Sequence, residues 1–486
     1  MESAEPSVAE LRAVLAERDR QLAEMLAERD RQLAERDQVI AELLARVTEL
    51  ERRLGQNSQN SNRPPSSEGY AKPAPKSRRQ RGQRRSGGQP GHPGSTLCQV
   101  DEPDLVVVHR PWRCPRCDRS LRRAKVSSVE RRQVFDLPAV RPQVTEHRLE
   151  HRRCRCGHTT MAAEPEGVTA PTQYGPGVRG VATYLCGAQH LPVGRAAETL
   201  ADLLGAAVSE GSVTAWNERA AAGLDVFTTA VRDRLAAAPV AHFDETGLRV
   251  NAGLAWVHSA STPTLTLFTC HSKRGVEAMD EAGVLPAFTG VAVHDGWAPY
   301  RTYPNLTHAL CNAHHLRELD AIAAIAGQGD WAGAMTRLLA EINTTVDRAR
   351  LDGATGLHPH LLAAYHHRYD QIIQVGWAAN PNSPPRHRSK RSPAVNLLDR
   401  LDTHRAEVLR FAADFTVPFT NNTAEQDIRM VKIRQKVSGG LRTMTGARIF
   451  CALRSYLSTA RKNGQHNLTV LRQLHQGKPW LPAQTC

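Results

Sequence analysis

Long apolar runs are what this 486-residue sequence most plainly lacks. No stretch approaches the roughly 18 consecutive apolar residues that a membrane-spanning helix needs, so no span is expected. The N-terminal MESAEPSVAELRAVLAERDR is acidic and has no apolar h-region, and a cleaved secretion signal is not expected either. Cysteine is also scarce: ten in so long a chain are too few for a disulfide scaffold. In a reducing cytoplasm, the expected location, close cysteine pairs read instead as metal ligands. What is present, 41% hydrophobic residues, suits a globular chain. At roughly 100 to 200 residues each, two to four domains are expected.

The formal charge of +14 is unevenly placed: residues 1 to 51 carry a net −6, residues 52 to 153 a net +14, and the remainder +6. Clustered Arg and Lys neutralise phosphates and release counterions, so the local excess points to a polyanion partner. The acidic first segment repeats LAERDRQ and continues into LAERDQVIAELLARVTELERRL. One heptad frame places Leu26, Leu33, Ile40, Val47 and Leu54 at a, and Leu15, Leu22, Leu43 and Leu50 at d. That narrow seam predicts a coiled coil over 1–54 and self-association. Residues 55–97, rich in Asn, Ser, Pro, Gly and Arg, read as a flexible basic arm whose Arg78, Arg79, Arg81, Arg84 and Arg85 are candidate DNA contacts.

Over 98–165, short β-like runs are bracketed by Cys114-Pro-Arg-Cys117 and Cys154-Arg-Cys156. Two such pairs suit a tetrahedral zinc held by thiolates, with strands between the knuckles as in a zinc ribbon. The second pair is one residue short of the usual knuckle, which leaves His158 or His151 as alternative fourth ligands. From 166 to 238 the pattern turns helical, breaking at Gly205 and restarting after Ser209. Two helices joined by a short turn read either as a DNA-reading helix-turn-helix or as a plain helical hairpin.

From 239 the runs PVAHFDETGLRV, LAWVHSAS and LTLFTC predict three consecutive strands, and the order that follows is β-β-β-α-β-α-β-α. Asp244 and Asp295 each stand where an apolar strand gives way to glycine. Glu425 stands in the first turn of a helix that Asn421 or Asn422 can cap. Three convergent carboxylates suit two divalent cations about 3.5 to 4 Å apart acting on a phosphodiester. Arg429, Lys432, Arg434 and Lys436 on the same segment are candidate phosphate contacts.

The motifs FDETG, VHDGWAPY, HALCNAHHLREL, FTNNTAEQDIRMVKIRQKVSGGLRT and RSYLSTARKNG closely resemble the transposases of the insertion-sequence-sixty-six family, over nearly the whole chain. The resemblance implies a D-D-E transposase with an α/β, ribonuclease-H-like core over 239–450. It puts the triad on Asp244, Asp295 and Glu425, a helical insertion at about 317–415, and a helical segment at 451–486. It further implies Mg²⁺ or Mn²⁺ at the triad and structural Zn²⁺ on Cys114, Cys117, Cys154 and Cys156. The implied partners are terminal inverted repeats, target DNA and a second copy of the chain, with accessory proteins of the same element as candidates. Two departures stand out: the CxC pair, and Gln426 where the family commonly has Arg. Cys311, His314 and His315 are read as lying near the cleft, with a metal site and a purely structural role as alternatives. The competing function is a non-catalytic DNA-binding repressor derived from a transposase.

Overall fold

A computed structural model describes residues 8–54, 97–381 and 391–483 of the chain. The first helix, α1, spans Val8–Leu54. Its sequence holds neither glycine nor proline and is dominated by strong helix formers. Each LAERDRQ repeat makes the same surface ion pair, Arg20 to Glu17 at 3.1 Å and Arg31 to Glu28 at 3.0 Å. The seam residues Leu22, Leu26, Leu33, Ile40, Leu43, Val47 and Leu50 are exposed in the single chain.

In 97–165 the only strands are the antiparallel pair β1 (His151–Arg153) and β2 (Thr159–Met161), which flank the second cysteine knuckle. Of the expected β-like runs, only the last three residues of RPQVTEHRLEHRR form a strand, β1; DLVVVHR and RRQVFDLP are irregular, with Val106, Val108 and Val134 exposed. β-Branched residues favour strands only where a neighbouring strand and a packed face receive them. Neither is present here.

Four helices follow: α2 (Pro176–Gly187), α3 (Val193–Leu204), α4 (Glu210–Ala222) and α5 (Asp225–Ala236). α3 ends at Gly205, whose φ of 62° is the left-handed conformation that terminates helices. α4 starts at Ser209, whose hydroxyl accepts from the Ser212 N–H. Ala182, Leu200, Val213 and Trp216 close α2, α3 and α4 around a small core, whereas Phe227, Val231 and Leu235 of α5 join a core with Ala241, Phe243 and Leu267.

The central sheet is mixed. β3 (Val240–Val250), β4 (Gly253–Ser261) and β5 (Thr266–His271) form an antiparallel meander. Asn251 and Ala252, both at positive φ, make the tight turn between the first two. After α6 (Val276–Ala282), β6 (Val291–His294) and β7 (Thr307–Leu310) add in parallel on the other side of β3. The strand order is therefore β5-β4-β3-β6-β7. The WAPYRTYP connection is a 3₁₀ turn at Ala298–Thr302.

β7 runs into α7 (Asn312–Ala323), followed by α8 (Gly329–Leu351), α9 (Pro359–Ala378), α10 (Pro393–Thr403), α11 (Arg405–Val408) and α12 (Arg410–Ala413). These helices share a core around Trp331, Met335, Leu339, Tyr369 and Leu398. The chain then returns to the sheet as α13 (Asn422–Ser438) and α14 (Met444–Lys462), and ends in α15 (Asn467–His475). The sequence boundary at 450 falls inside α14. Ser455 and Thr459 of that helix accept hydrogen bonds from the Phe268 and Thr266 N–H groups at 2.8 and 3.0 Å, covering the edge strand β5. Among the described residues, no helix is long and apolar enough to cross a membrane.

Candidate active site

Strand register aligns the first two acids. β3 and β6 pair in parallel from Val240 with Val291 to His242 with Val293. The same offset brings position 244 level with position 295, just beyond the last paired residues. β6 and β7 pair up to His294 with Leu310, and the Cys311 N–H donates to the His294 carbonyl at 2.9 Å. Asp244, Asp295 and Cys311 therefore stand in one row across three adjacent strands: Asp295 and Cys311 follow the ends of β6 and β7, whereas Asp244, expected near a strand end, lies inside β3, which runs on to Val250 beside β4.

Glu425 reaches this row from the first turn of α13, and a single buried asparagine ties the parts together. The expected cap by the Asn421 side chain is not made: although Asn421 occupies the N-cap position, its side chain is spent elsewhere. Its Nδ2 donates to the Phe243 carbonyl at 2.7 Å, its Oδ1 lies 2.9 Å from His242 Nδ1, and its backbone N–H donates to Cys311 Sγ at 3.1 Å. α13 is thus fastened both to the residue preceding Asp244 and to the end of β7. Glu425 Oε1 lies 3.9 Å from Cys311 Sγ, 3.8 Å from His314 Nδ1 and 4.0 Å from Arg317. His315 points elsewhere, its Nδ1 3.2 Å from Asn312 Oδ1.

The acids feel one another. Burial, and then the charges of Glu245, Asp295 and Glu425, push the Asp244 carboxyl well above the usual range. Burial likewise raises Asp295 and Glu425, the latter against the pull of Arg317. Like charges held together in a poorly solvated cleft are unfavourable, and a divalent cation between them would offset that cost. The three carboxylates do not gather their oxygens within 4.8 Å of one another; that spacing is met, among the described residues, by Cys311, His314 and Glu425. A two-ion site needs a wider embrace than a single-ion cage, because its cations themselves stand about 3.5 to 4 Å apart.

Sequence reasoning missed the residues behind the row. Glu245 is buried; Arg274 donates to it at 3.1 and 2.5 Å and the Tyr300 hydroxyl at 2.7 Å. Burial, followed by Asp295, pushes its carboxyl up to about 7 against those partners. Arg274 also covers the ring of Trp297 at 4.0 Å and that of Trp256 at 4.8 Å. The available signal was an acid in the interior of an otherwise apolar strand, which requires a partner.

Of the candidate phosphate contacts, Arg429 and Lys436 face solvent. Lys432 turns inward, its Nζ donating to the Gly247 carbonyl at 2.6 Å, and burial draws its ammonium down to about 8. Arg434 donates to the Gly439 carbonyl at 3.1 Å and lies over Phe450. Arg78, Arg79, Arg81, Arg84 and Arg85 fall outside the described residues. In the knuckles, backbone N–H groups and the partner cysteine lower the Cys114 thiol, through Arg116 and Cys117, and likewise the Cys154 thiol, through Cys156. Such donors favour the thiolates that zinc requires. The two pairs remain apart, with no group of three of these sulfurs within 4.8 Å of one another.

Residues 111–157 match the family model described as the zinc-finger binding domain of transposase IS66. That match supports structural zinc and DNA binding. The larger match, to the model described as Transposase IS66 family, covers residues 171–449, over half of the chain. The chain belongs to the IS66 transposase family. Residues 2–97 match a family of unknown function. No curated protein matches the chain.

Proposed function

We propose that the chain is a D-D-E transposase that cuts at the ends of its insertion sequence and joins the resulting 3′-hydroxyls to target DNA. The observation that carries this reading is the register of β3 and β6, which sets Asp244 and Asp295 level, with Glu425 of α13 near enough for its charge to act on Asp244 and for that of Asp295 to act on it. A meander of three antiparallel strands extended by two parallel ones, with α13 and α14 on the sheet, supports a ribonuclease-H-like core over 239–450 carrying the helices of about 317–415 as an insertion. Asp244, Asp295 and Glu425 would hold two Mg²⁺ ions, which supply activation of the attacking oxygen and neutralisation of the leaving one.

The protein's own groups do the rest. Asn421 holds α13 to β3 and β7, so that Glu425 keeps its place beside Cys311 at the end of β7. Arg274 and Tyr300 fix Glu245 and, through it, the part of β3 that carries Asp244. Arg429 and Lys436, exposed on α13, are placed to meet backbone phosphates. The basic arm at 55–97, the zinc module at 98–165 and the helices of 166–238 hold the element ends, and the exposed seam of α1 pairs protomers so that two ends are held at once.

Single alanine substitutions test the site. Each of Asp244→Ala, Asp295→Ala and Glu425→Ala should abolish Mg²⁺-dependent cleavage of end-bearing DNA while leaving end binding within a few-fold of wild type. Strand transfer retained by Asp295→Ala would refute the assignment.

A further inference from the structure

Cys311, His314 and Glu425 offer three ligand atoms that all lie within 4.8 Å of one another. Cys311 stands at the end of β7 and His314 one turn into α7, so both face the same side, and α13 closes the group with Glu425. The separations are informative. His314 Nδ1 is 3.8 Å from Glu425 Oε1, too far for the hydrogen bond of about 2.7 to 3.2 Å that two such groups would otherwise make. It is buried and has no hydrogen-bond partner among the described residues. Cys311 Sγ stands 3.9 Å from the same oxygen. Ligands sharing a tetrahedral zinc at ordinary bond lengths lie about 3.3 to 3.6 Å apart, so the two separations to Glu425 Oε1 need close by only about half an ångström.

The donor set selects the ion. Thiolate with imidazole suits a borderline-soft cation, whereas Mg²⁺ takes oxygen ligands and keeps its waters. The Asn421 N–H at 3.1 Å from Cys311 Sγ is a donor of the kind that steadies a metal-bound thiolate. Three protein ligands leave a fourth position for water. Arg317, 4.0 Å from Glu425 Oε1, is the cation that an incoming ion would displace from the carboxylate.

We propose that Cys311, His314 and Glu425 form a binding site for a thiophilic divalent cation of the zinc class, and that its occupancy withdraws Glu425 from Asp244 and Asp295 and so arrests DNA cutting. On binding, the Cys311 thiol loses its proton to solvent, sulfur–metal, nitrogen–metal and oxygen–metal bonds form, and all but one of the aqua ion's waters leave, the last keeping the fourth position. The arrest rests on Glu425 belonging to the catalytic triad; the binding site does not.

Zinc content of the full chain, stripped with chelator and dialysed against Zn²⁺, tests the site. Wild type should hold two equivalents, one in the zinc finger and one here, and both C311S and H314Q should hold one. Wild type holding one equivalent, or either folded variant holding two, overturns the proposal. Should C311S fail to fold, H314Q decides. Zn²⁺ at saturating occupancy should lower Mg²⁺-dependent cleavage by wild type at least about tenfold; undiminished cleavage overturns the arrest. Cleavage retained by D244N would instead refute the triad, with the zinc count unchanged.

Discussion

Arg274 lies against one buried acid and two indole rings, and its removal would be felt beyond its own contacts. Breaking a buried ion pair by deleting one partner typically costs about 3 to 5 kcal/mol, because the other charge is left behind. Arg274→Met should therefore lower unfolding free energy by about 3 kcal/mol in urea titrations and reduce Mg²⁺-dependent cleavage. Arg274→Lys should recover only part of either, since an ammonium can neither fork onto Glu245 nor stack as a plane between Trp256 and Trp297. That Asp244 lies on the first strand could be read from FDETG, although the strand runs on to Val250 rather than ending near it, and the burial of Glu245 beside it could not be read. Adjacent strand residues face opposite sides, and the partner of Glu245 arrives from 29 residues further on. Lys432 shows the converse: helical spacing aligns it with Glu425, but a carbonyl three residues past Asp244 takes its ammonium.

β6 is only four residues long, and its place beside β3 decides where Asp295 sits. Gly290 lets it start there, with the Val291 N–H donating to the Pro239 carbonyl at 2.8 Å. A Cβ at Gly290 would come within 2.6 Å of that same carbonyl oxygen and 2.9 Å of the Phe288 ring, so backbone would have to move. Overpacking of this kind costs about 1 to 3 kcal/mol. Gly290→Ala should lower the thermal midpoint and, by shifting β6, cut cleavage more than DNA binding; an unchanged ratio of the two would count against the register argument. The elements of 239–323 were legible because alternation and glycine boundaries are local signals. The runs at 104–110 and 131–138 carried the same signal and formed no strands, because strand pairing needs a partner that composition does not reveal.

Across the whole molecule, buried histidines make folding sensitive to acid. Burial, then Arg454 and Arg434, hold His190 down to about 4, and burial, then Arg179 and Arg219, hold His475 down to about 4. Unfolded, both titrate near 6.5. Between these values the unfolded chain binds more protons, so the stability present above 6.5 is lost as pH falls toward 4. The raised carboxylates of the active site act in the opposite sense, so the difference between variants is the clean measure. His190→Asn, which keeps a residue tolerant of the φ of 62° found there, should flatten the fall in thermal midpoint between pH 6.5 and 4. An equally steep fall would exclude His190. By itself the sequence determined what is short-ranged: the heptad helix of 8–54, the strand bearing Asp244, the strand end before Asp295, the helix bearing Glu425, and the helices between. Only the tertiary structure decided that Asn421 clamps β3 to α13, that Lys432 turns inward, and that Cys311 meets Glu425 across 114 residues of chain. Periodicity and turn chemistry act over a few residues, whereas convergence depends on strand register and on how distant elements pack.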